Sequence, residues 1–313
     1  MSCLVIEAPG LLTSVQDLGR AGYGPLGVSP SGAADPVALR LGNLLVGNEP
    51  GAATLEMTLV GGSFLFPQGA VIAVTGADFG ATVNGQLLEM WASFTLDPGM
   101  KLTVGHTKNY ARCYLAIAGG IHVKPFLGSA STHLLSGLGG FEGRTLRKGD
   151  VLKLGQPRKN ICRRKVLPAA LLHLKPRRKL RVTDGPQSDR FSEETRRTFF
   201  QSSFRVSEQS DRLGLRLEGT ALEVRDAGEM LTEGVTLGAV QVTPSGQPIV
   251  LGVDQQTTGG YPKIANVIGA DLHRLGQLRP RDEIRFERTS LAVARSLWIE
   301  QERLLNSPSQ LFS

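Results

Sequence analysis

The chain has 313 residues, 41% apolar and 20% charged, a composition typical of globular proteins and long enough for two hydrophobic cores. Only 6% are aromatic, which leaves little material for stacking platforms that grip single-stranded nucleic acid. The net charge of +7 is local: residues 158–181 hold ten of the 35 basic residues and no Asp or Glu, leaving 25 basic against 28 acidic elsewhere.

From the N-terminus, "MSCLVIEAPG" has neither a basic start nor a long apolar run, so no signal peptide is expected. No apolar stretch reaches the roughly 20 residues a spanning helix needs. Cys3, Cys113 and Cys162 are odd in number and lack CxxC spacing, which argues against a disulfide framework. A reducing, cytoplasmic setting is the expectation, with neither membrane nor nucleic acid as partner.

The first distinctive segment is "SVQDLGRAGYGPLGVSPSGAAD" (14–35). Gln16, Asp17 and Arg20 place an amide, a carboxylate and a fork of donors within five residues, before glycine-rich backbone that can approach a ligand closely. A hairpin with an internal Asp–Arg pair would use the same residues. "DPVALRLGNLLVG" (35–47) then reads as a helix, with Asp35 as N-cap, Pro36 at the first position and Gly47 as the stop. Strands follow at 69–78, 100–106 and 112–120, with Asn84-Gly85 as a two-residue hairpin turn.

The basic run, interrupted by Pro168 and Pro176, divides the chain. It reads as a solvated connector or as a source of anion steering toward a nearby site. The expected division is residues 1–160, a basic connector at 161–180, and 181–313. Beyond it, "FSEETRRTFFQ" predicts a short helix capped by Ser192. Gln241 lies on an alternating strand, and a buried strand glutamine needs partners or a cleft to reach into. "QPIVLGV" (247–253) reads as a buried strand, followed by "DQQTTGGYPK" (254–263), crowded with uncharged hydrogen-bonding groups. A loop whose side chains satisfy their own backbone is one reading of that segment, and a ligand-facing loop the other. A strand at 282–288 and an amphipathic helix at 289–306 complete the chain; the helix is expected to pack on a barrel or a partner. Each half therefore reads as a β-rich barrel or sandwich with few helices. A faint echo joins 16–35 and 255–271, each with a Gly-Tyr pair and a Gly-Ala(-Ala)-Asp ending. Duplication would produce it, and so would chance glycine richness.

Several chemistries have no sequence support. There is no GxxxxGK[ST] phosphate loop, "GLGGFEG" (137–143) lacks dinucleotide-binding spacing, and no GxSxG elbow occurs. The five histidines show no metal-ligand spacing, so no metal site is expected.

The segments "VQDLGRAGYGPLGVSPSGAAD", "NEPGAATLEMTLVGGSF", "VTGAD", "RCYLAIAGGI", "LGSASTHLLSGLGGFEGRTLRKGD", "SDRLGLRLEG", "TEGVTLGAVQVTPSGQPIVLGVDQQTTGGYPKIANVIGADL" and "LGQLRPRDEIRF" occur in that order from about residue 5 to 288. Together they resemble the allophanate hydrolase subunit 2, or biotin-dependent carboxyltransferase-like, family. That family includes the C component of 5-oxoprolinase, the KipA regulatory antagonist and half of the urea carboxylase carboxyltransferase domain. The resemblance implies a mainly β fold of two cyclophilin-like β-barrel units with a few short helices and a C-terminal helix. It implies a companion subunit 1 (the KipI-like B component of 5-oxoprolinase), a further A component, and a cleft shared between chains. The implied function is ATP-dependent cleavage of 5-oxoproline to L-glutamate, with activity only in the complex. The alternatives are a carboxyltransferase half for urea- or allophanate-like substrates, which would involve biotin, and a KipA-like antagonist binding a KipI-like protein.

Within this frame Gln16, Asp17, Arg20, Asp254 and Gln256 are the candidate catalytic residues. Ser31, Asp35, Asp78, Arg212, Gln241, Thr257, Thr258, Gly259, Gly260, Tyr261 and Lys263 are candidates for substrate binding, with the ATP site shared between the components. One cleft lined by Gln16, Asp17, Arg20, Gln241, Gln256, Thr258 and Tyr261 is expected. Both implied reactions act on a planar N–C=O group, which amides, hydroxyls and backbone N–H groups can recognise without a nucleophile. The family usually reads DRQTTGGY, whereas Gln255 stands in place of the arginine here. Asp254 therefore needs another cation, Arg212 or Lys263, or exposure to water.

Overall fold

The computed structural model describes residues 2–158, 162–174, 178–225 and 230–313, with only the backbone of His173. Residues 159–161 and 175–177 of the basic run lie outside the described residues. The fold is mainly β and divides into two compact units. One comprises Met1–Arg20, Ser31–Leu174 and Leu304–Ser313; the other comprises Ala21–Pro30 and Lys175–Arg303.

In the first unit two sheets enclose one core. The seven-stranded sheet runs Ile121–His122, Val151–Leu154, Cys3–Ala8, Ser63–Phe66, Met100–Thr103, Thr82–Val83, Gln86–Leu87. The five-stranded sheet runs Leu12–Gln16, Thr54–Thr58, Arg112–Ile117, Ala70–Gly76, Ser93–Leu96. Leu4, Ile6, Phe64 and Phe66 of the first meet Val15, Leu55, Met57, Val74 and Leu115 of the second, all fully buried. Asn84 and Gly85 both take positive φ, 48° and 84°, as a tight hairpin between Thr82–Val83 and Gln86–Leu87 demands. The 69–78 strand ends at Gly76, because Asp78 folds back to accept the Gly80 N–H at 2.7 Å.

Helix Pro36–Leu45 starts where its sequence dictates: Asp35 Oδ1 accepts the Ala38 N–H at 2.9 Å, and Pro36 occupies the first turn. Leu41 and Leu45 pack with Ala73 and Ala116 of the five-stranded sheet, and Ala38 and Leu39 with Tyr114. The basic stretch contains a short helix, Pro168–Leu174, whose Ala170 and Leu174 are buried in the same cluster as Leu41, Leu305 and Leu311.

The second unit is a closed barrel in the order Lys179–Asp184, Lys263–Val267, Ala239–Val242, Pro248–Leu251, Gly214–Glu218, Phe204–Val206, Glu283–Arg288. Parallel pairing of Leu180 with Phe286 closes the ring and removes the sheet edges. Helix Glu193–Gln201, capped by Ser192 Oγ on the Thr195 N–H at 2.9 Å, sets Phe199 on Phe286 with ring centroids 4.5 Å apart. Helix Leu291–Leu305 exposes Leu291, Val293, Trp298 and Ile299, while Leu305 is buried. Among the described residues no helix is long and apolar enough to cross a membrane.

The internal echo does not extend to sheet topology, since the first unit pairs two sheets and the second closes one. Nor do the matching aspartates do the same work. Asp35 caps its helix, whereas Asp271 is held by Arg181 and Arg274 and its side chain makes no cap.

Candidate functional site

The candidate residues divide between the units. In the first, strand Leu12–Gln16 ends beside the loop 129–132. Asp17 accepts from Gly19 N–H (2.7 Å), Ser129 Oγ (2.6 Å), Ser131 Oγ (2.5 Å) and Ala130 N–H (2.6 Å). Four donors around one carboxylate fix the loop to the strand end, so the Asp17 acceptors are spent inside the protein. Arg20 is buried, donates to the Ser131 carbonyl and stacks on Phe126 at 5.5 Å. Gln16 is fully buried; its Nε2 donates to Ser14 Oγ (3.0 Å) and Thr132 O (3.1 Å), while Oε1 has no hydrogen-bond partner among the described residues. The sequence thus places these three together, around serines it did not single out.

The same sheet face carries a buried ionic layer that sequence reasoning missed. Glu56 Oε2 accepts from the Tyr114 hydroxyl (2.7 Å) and the Ala34 N–H (2.9 Å), and Oε1 lies 3.3 Å from Arg112 Nε. Tyr114 in turn accepts the Asp35 N–H at 2.8 Å. Burial and the adjacent Glu56 carboxylate push the Tyr114 hydroxyl well above its ordinary pKa, which keeps it a neutral donor. Only the glutamate inside "TLEMT" hinted at this layer. Ser31 is buried near its start in sequence. Asp78 stands apart from the Gln16 and Asp35 groups: it pairs with Lys108 at 3.1 Å, and the Gly80 N–H and that ammonium hold its carboxyl below the usual range.

In the second unit a bulge between Val240 and Gln241 alters the pairing of strand Ala239–Val242 with Lys263–Val267. Gln241 is 1% exposed, and its Nε2 has no hydrogen-bond partner among the described residues. A Cβ built on Gly259 would stand 2.5 Å from that nitrogen and 3.0 Å from Gln256 Nε2. Two amide nitrogens therefore converge on the backbone at Gly259, a space only glycine leaves open. Opposite Gly259 in the ladder is Glu233, whose Oε1 lies 2.6 Å from the buried Lys263 ammonium and 2.8 Å from Gln187 Nε2. Those two donors hold the Glu233 carboxyl below its ordinary pKa.

Beside this cluster, Asp254 is closed off by a buried fork: Arg212 Nε to Oδ2 at 2.7 Å and Nη2 to Oδ1 at 3.2 Å. Arg212 is thus the cation that Asp254 required. Gln255 turns to Val235, its Nε2 3.4 Å from that carbonyl. Thr257 accepts the Val235 N–H through its backbone at 3.1 Å, and Thr258 is exposed. Gly260 and Tyr261 line a cavity of about 480 Å³ with Thr243, Ser245 and Arg190. No group of three or more potential metal ligands occurs among the described residues.

This architecture and its sequence have clear relatives. The carboxyltransferase domain, subdomain A and B, family model matches residues 26–288. The C component of 5-oxoprolinase from Escherichia coli (strain K12) is 38% identical over 300 residues, 96% of each chain. Its counterpart of the same name from Haemophilus influenzae is 36% identical, over 94% of this chain and 93% of the relative. The crystal structure of the K. lactis urea amidolyase superposes with a TM-score of 0.89 at 35% identity over 97% of this chain, which spans 20% of that enzyme. The chain belongs to the carboxyltransferase domain, subdomain A and B, family.

Proposed function

We propose that this chain is the C component of a cytoplasmic 5-oxoprolinase complex, acting with the A and B components in the ATP-dependent opening of 5-oxoproline to L-glutamate. The observation that carries the reading is the convergence of Gln241 Nε2 and Gln256 Nε2 on Gly259. The Gln241 nitrogen is buried and has no hydrogen-bond partner among the described residues. A lactam carbonyl offers two lone pairs, and Gln241 Nε2, buried on its strand, and the exposed Gln256 Nε2 could each donate to one as charge builds on oxygen during ring opening. Lys263 lies opposite Gln241 in the ladder, with its ammonium held by Glu233 at 2.6 Å. The near-complete overlap with the E. coli protein supports the same assignment. ATP supplies the free energy for opening a stable amide.

A second reading, a carboxyltransferase half that uses carboxybiotin to act on a urea-like amide, is favoured by the K. lactis superposition. It draws on the same donors, because urea too is a planar N–C=O compound. Reconstitution separates the two. With the A and B components added, the chain should support ATP hydrolysis dependent on 5-oxoproline; alone it should not. Gln256→Ala should lower kcat/KM of the complex by about 10- to 100-fold, the loss of a contact worth about 1–3 kcal/mol, with an unchanged melting temperature. An unchanged kcat/KM would remove Gln256 from the site. Turnover of urea with carboxybiotin and none of 5-oxoproline would establish the second reading.

A further inference from the structure

The first unit holds a cavity of about 570 Å³ that none of the candidate residues lines. Its walls include His122, Lys124, Lys153 and the loop 139–143. His122 and Lys153 are direct cross-strand partners, on strands Ile121–His122 and Val151–Leu154, and Lys124 follows two residues after His122. Neither lysine has an ion-pair partner among the described residues. The one acidic wall residue, Glu142, is already engaged by Arg144 Nε at 3.0 Å, and Arg144 also binds Asp150. The cavity therefore carries uncompensated positive charge, although the unit around it is full of paired ions.

The loop adds a second kind of donor. Gly139, Gly140, Glu142 and Gly143 all have positive φ, 67°, 55°, 56° and 66°. Of its N–H groups, Gly143 bonds to Gly139 O, but those of Gly139, Gly140, Phe141 and Glu142 make no hydrogen bond to another described residue. A run of backbone N–H groups through left-handed turns is the arrangement that makes concave anion sites. A side chain at Gly140 would overlap Thr132 Oγ1, so the loop is held in this path from behind.

We propose that this cavity is a binding site for a phosphoryl-bearing anion, gripped by Lys124, Lys153, His122 and the 139–142 amides. A carboxylate presents two coplanar oxygens. A phosphoryl group spreads its oxygens over a tetrahedron, which suits donors arriving from two strands and a loop. The site stands on this geometry alone and does not rest on the lactam reading, and its test reads binding rather than turnover.

The test is calorimetric titration of the intact chain with inorganic pyrophosphate and, separately, with ADP, at fixed low ionic strength. Saturable binding of either is expected, weakened at least tenfold in the Lys124→Gln/Lys153→Gln double variant. These lysines are exposed and unpaired, so the variant should keep the parent's melting temperature. Tighter binding of ADP than of pyrophosphate would identify the phosphoryl group as part of a nucleotide, and the reverse as a free anion. Absence of saturable binding by both probes, or equal affinity in parent and double variant, would overturn the proposal. Lys108→Gln, elsewhere on the same unit, should leave affinity unchanged; an equal loss there would reduce the effect to general surface charge and likewise overturn it.

Discussion

Each unit carries a glutamine buried on a strand and an aspartate held by inward-facing donors, yet the two aspartates are held by opposite means. Asp17 is surrounded by neutral donors, two serine hydroxyls and two backbone N–H groups. Asp254 is locked by one guanidinium in a bidentate fork. The first arrangement ties a loop to a strand through many small contacts, each replaceable. The second concentrates the whole compensation in a single long side chain, so it fails all at once. In both, the glutamine retains a buried polar atom without a hydrogen-bond partner among the described residues: Gln16 Oε1 and Gln241 Nε2.

The largest effect that could break this contrast is expected at Arg212. Arg212→Ala leaves the Asp254 carboxylate buried without its fork, and loss of about 3–5 kcal/mol is expected, as for other broken buried pairs. Urea denaturation measures it; a loss below about 1 kcal/mol would mean that water reaches Asp254 and the concentrated lock is illusory. Asp17→Asn comes next, at about 1–3 kcal/mol. The amide replaces one acceptor oxygen by a donor facing donors, but the serine hydroxyls can rotate to accept from it. A loss as large as that of Arg212→Ala would show the neutral cage to be no more forgiving than the ion pair.

The smallest effect sharpens the comparison by moving the same chemistry outward. Arg144 and Asp150 form a fork like that of Arg212 and Asp254, at 2.7 and 3.0 Å, but nearer the surface. The Arg144 guanidinium holds the Asp150 carboxyl below its ordinary value. A depressed folded pKa means that the folded state binds its proton less readily than the unfolded chain. The stabilisation is therefore complete above the ordinary value of 3.8 and is lost as pH falls toward the lower folded value. Asp150→Asn should cost about 1 kcal/mol or less at pH 7, and parent and variant should converge in acid. A gap that persists at pH 2 would assign the cost to lost hydrogen bonding rather than to charge.

Much of this was legible in the sequence where the cause is local. Asp35 and Ser192 announce their helices because a cap acts within three residues. Asn84-Gly85 announces its hairpin because only a few residue types tolerate that backbone. The closeness of Gln16, Asp17 and Arg20 is likewise a local fact. What the sequence did not reveal depends on distant partners. Glu56, Arg112 and Tyr114 are ordinary strand residues until two strands far apart in sequence pair and bring them together. The convergence of Gln241 and Gln256 needs a bulge and a glycine on separate strands. Helix Pro168–Leu174 was hidden by the charges flanking it, although Pro168 at its start followed by an alanine pair and leucines is a helix signal. Of the residues expected to line one cleft, Gln16, Asp17 and Arg20 belong to one unit and Gln241, Gln256, Thr258 and Tyr261 to the other.

The first unit is assembled from chain made at very different times. Its cluster around Leu41, Ala170 and Leu174 includes Leu305 and Leu311, and Lys165 exchanges two backbone hydrogen bonds with Ser313, at 2.9 and 3.1 Å. On the ribosome, at about 5–20 residues per second, helix Pro36–Leu45 would wait for over a hundred codons with part of its apolar neighbourhood still untranslated. The closed barrel needs nothing beyond residue 288 for its ring of strands. The later-made unit thus has all its strands before the first unit has Leu305 and Leu311 of its apolar cluster.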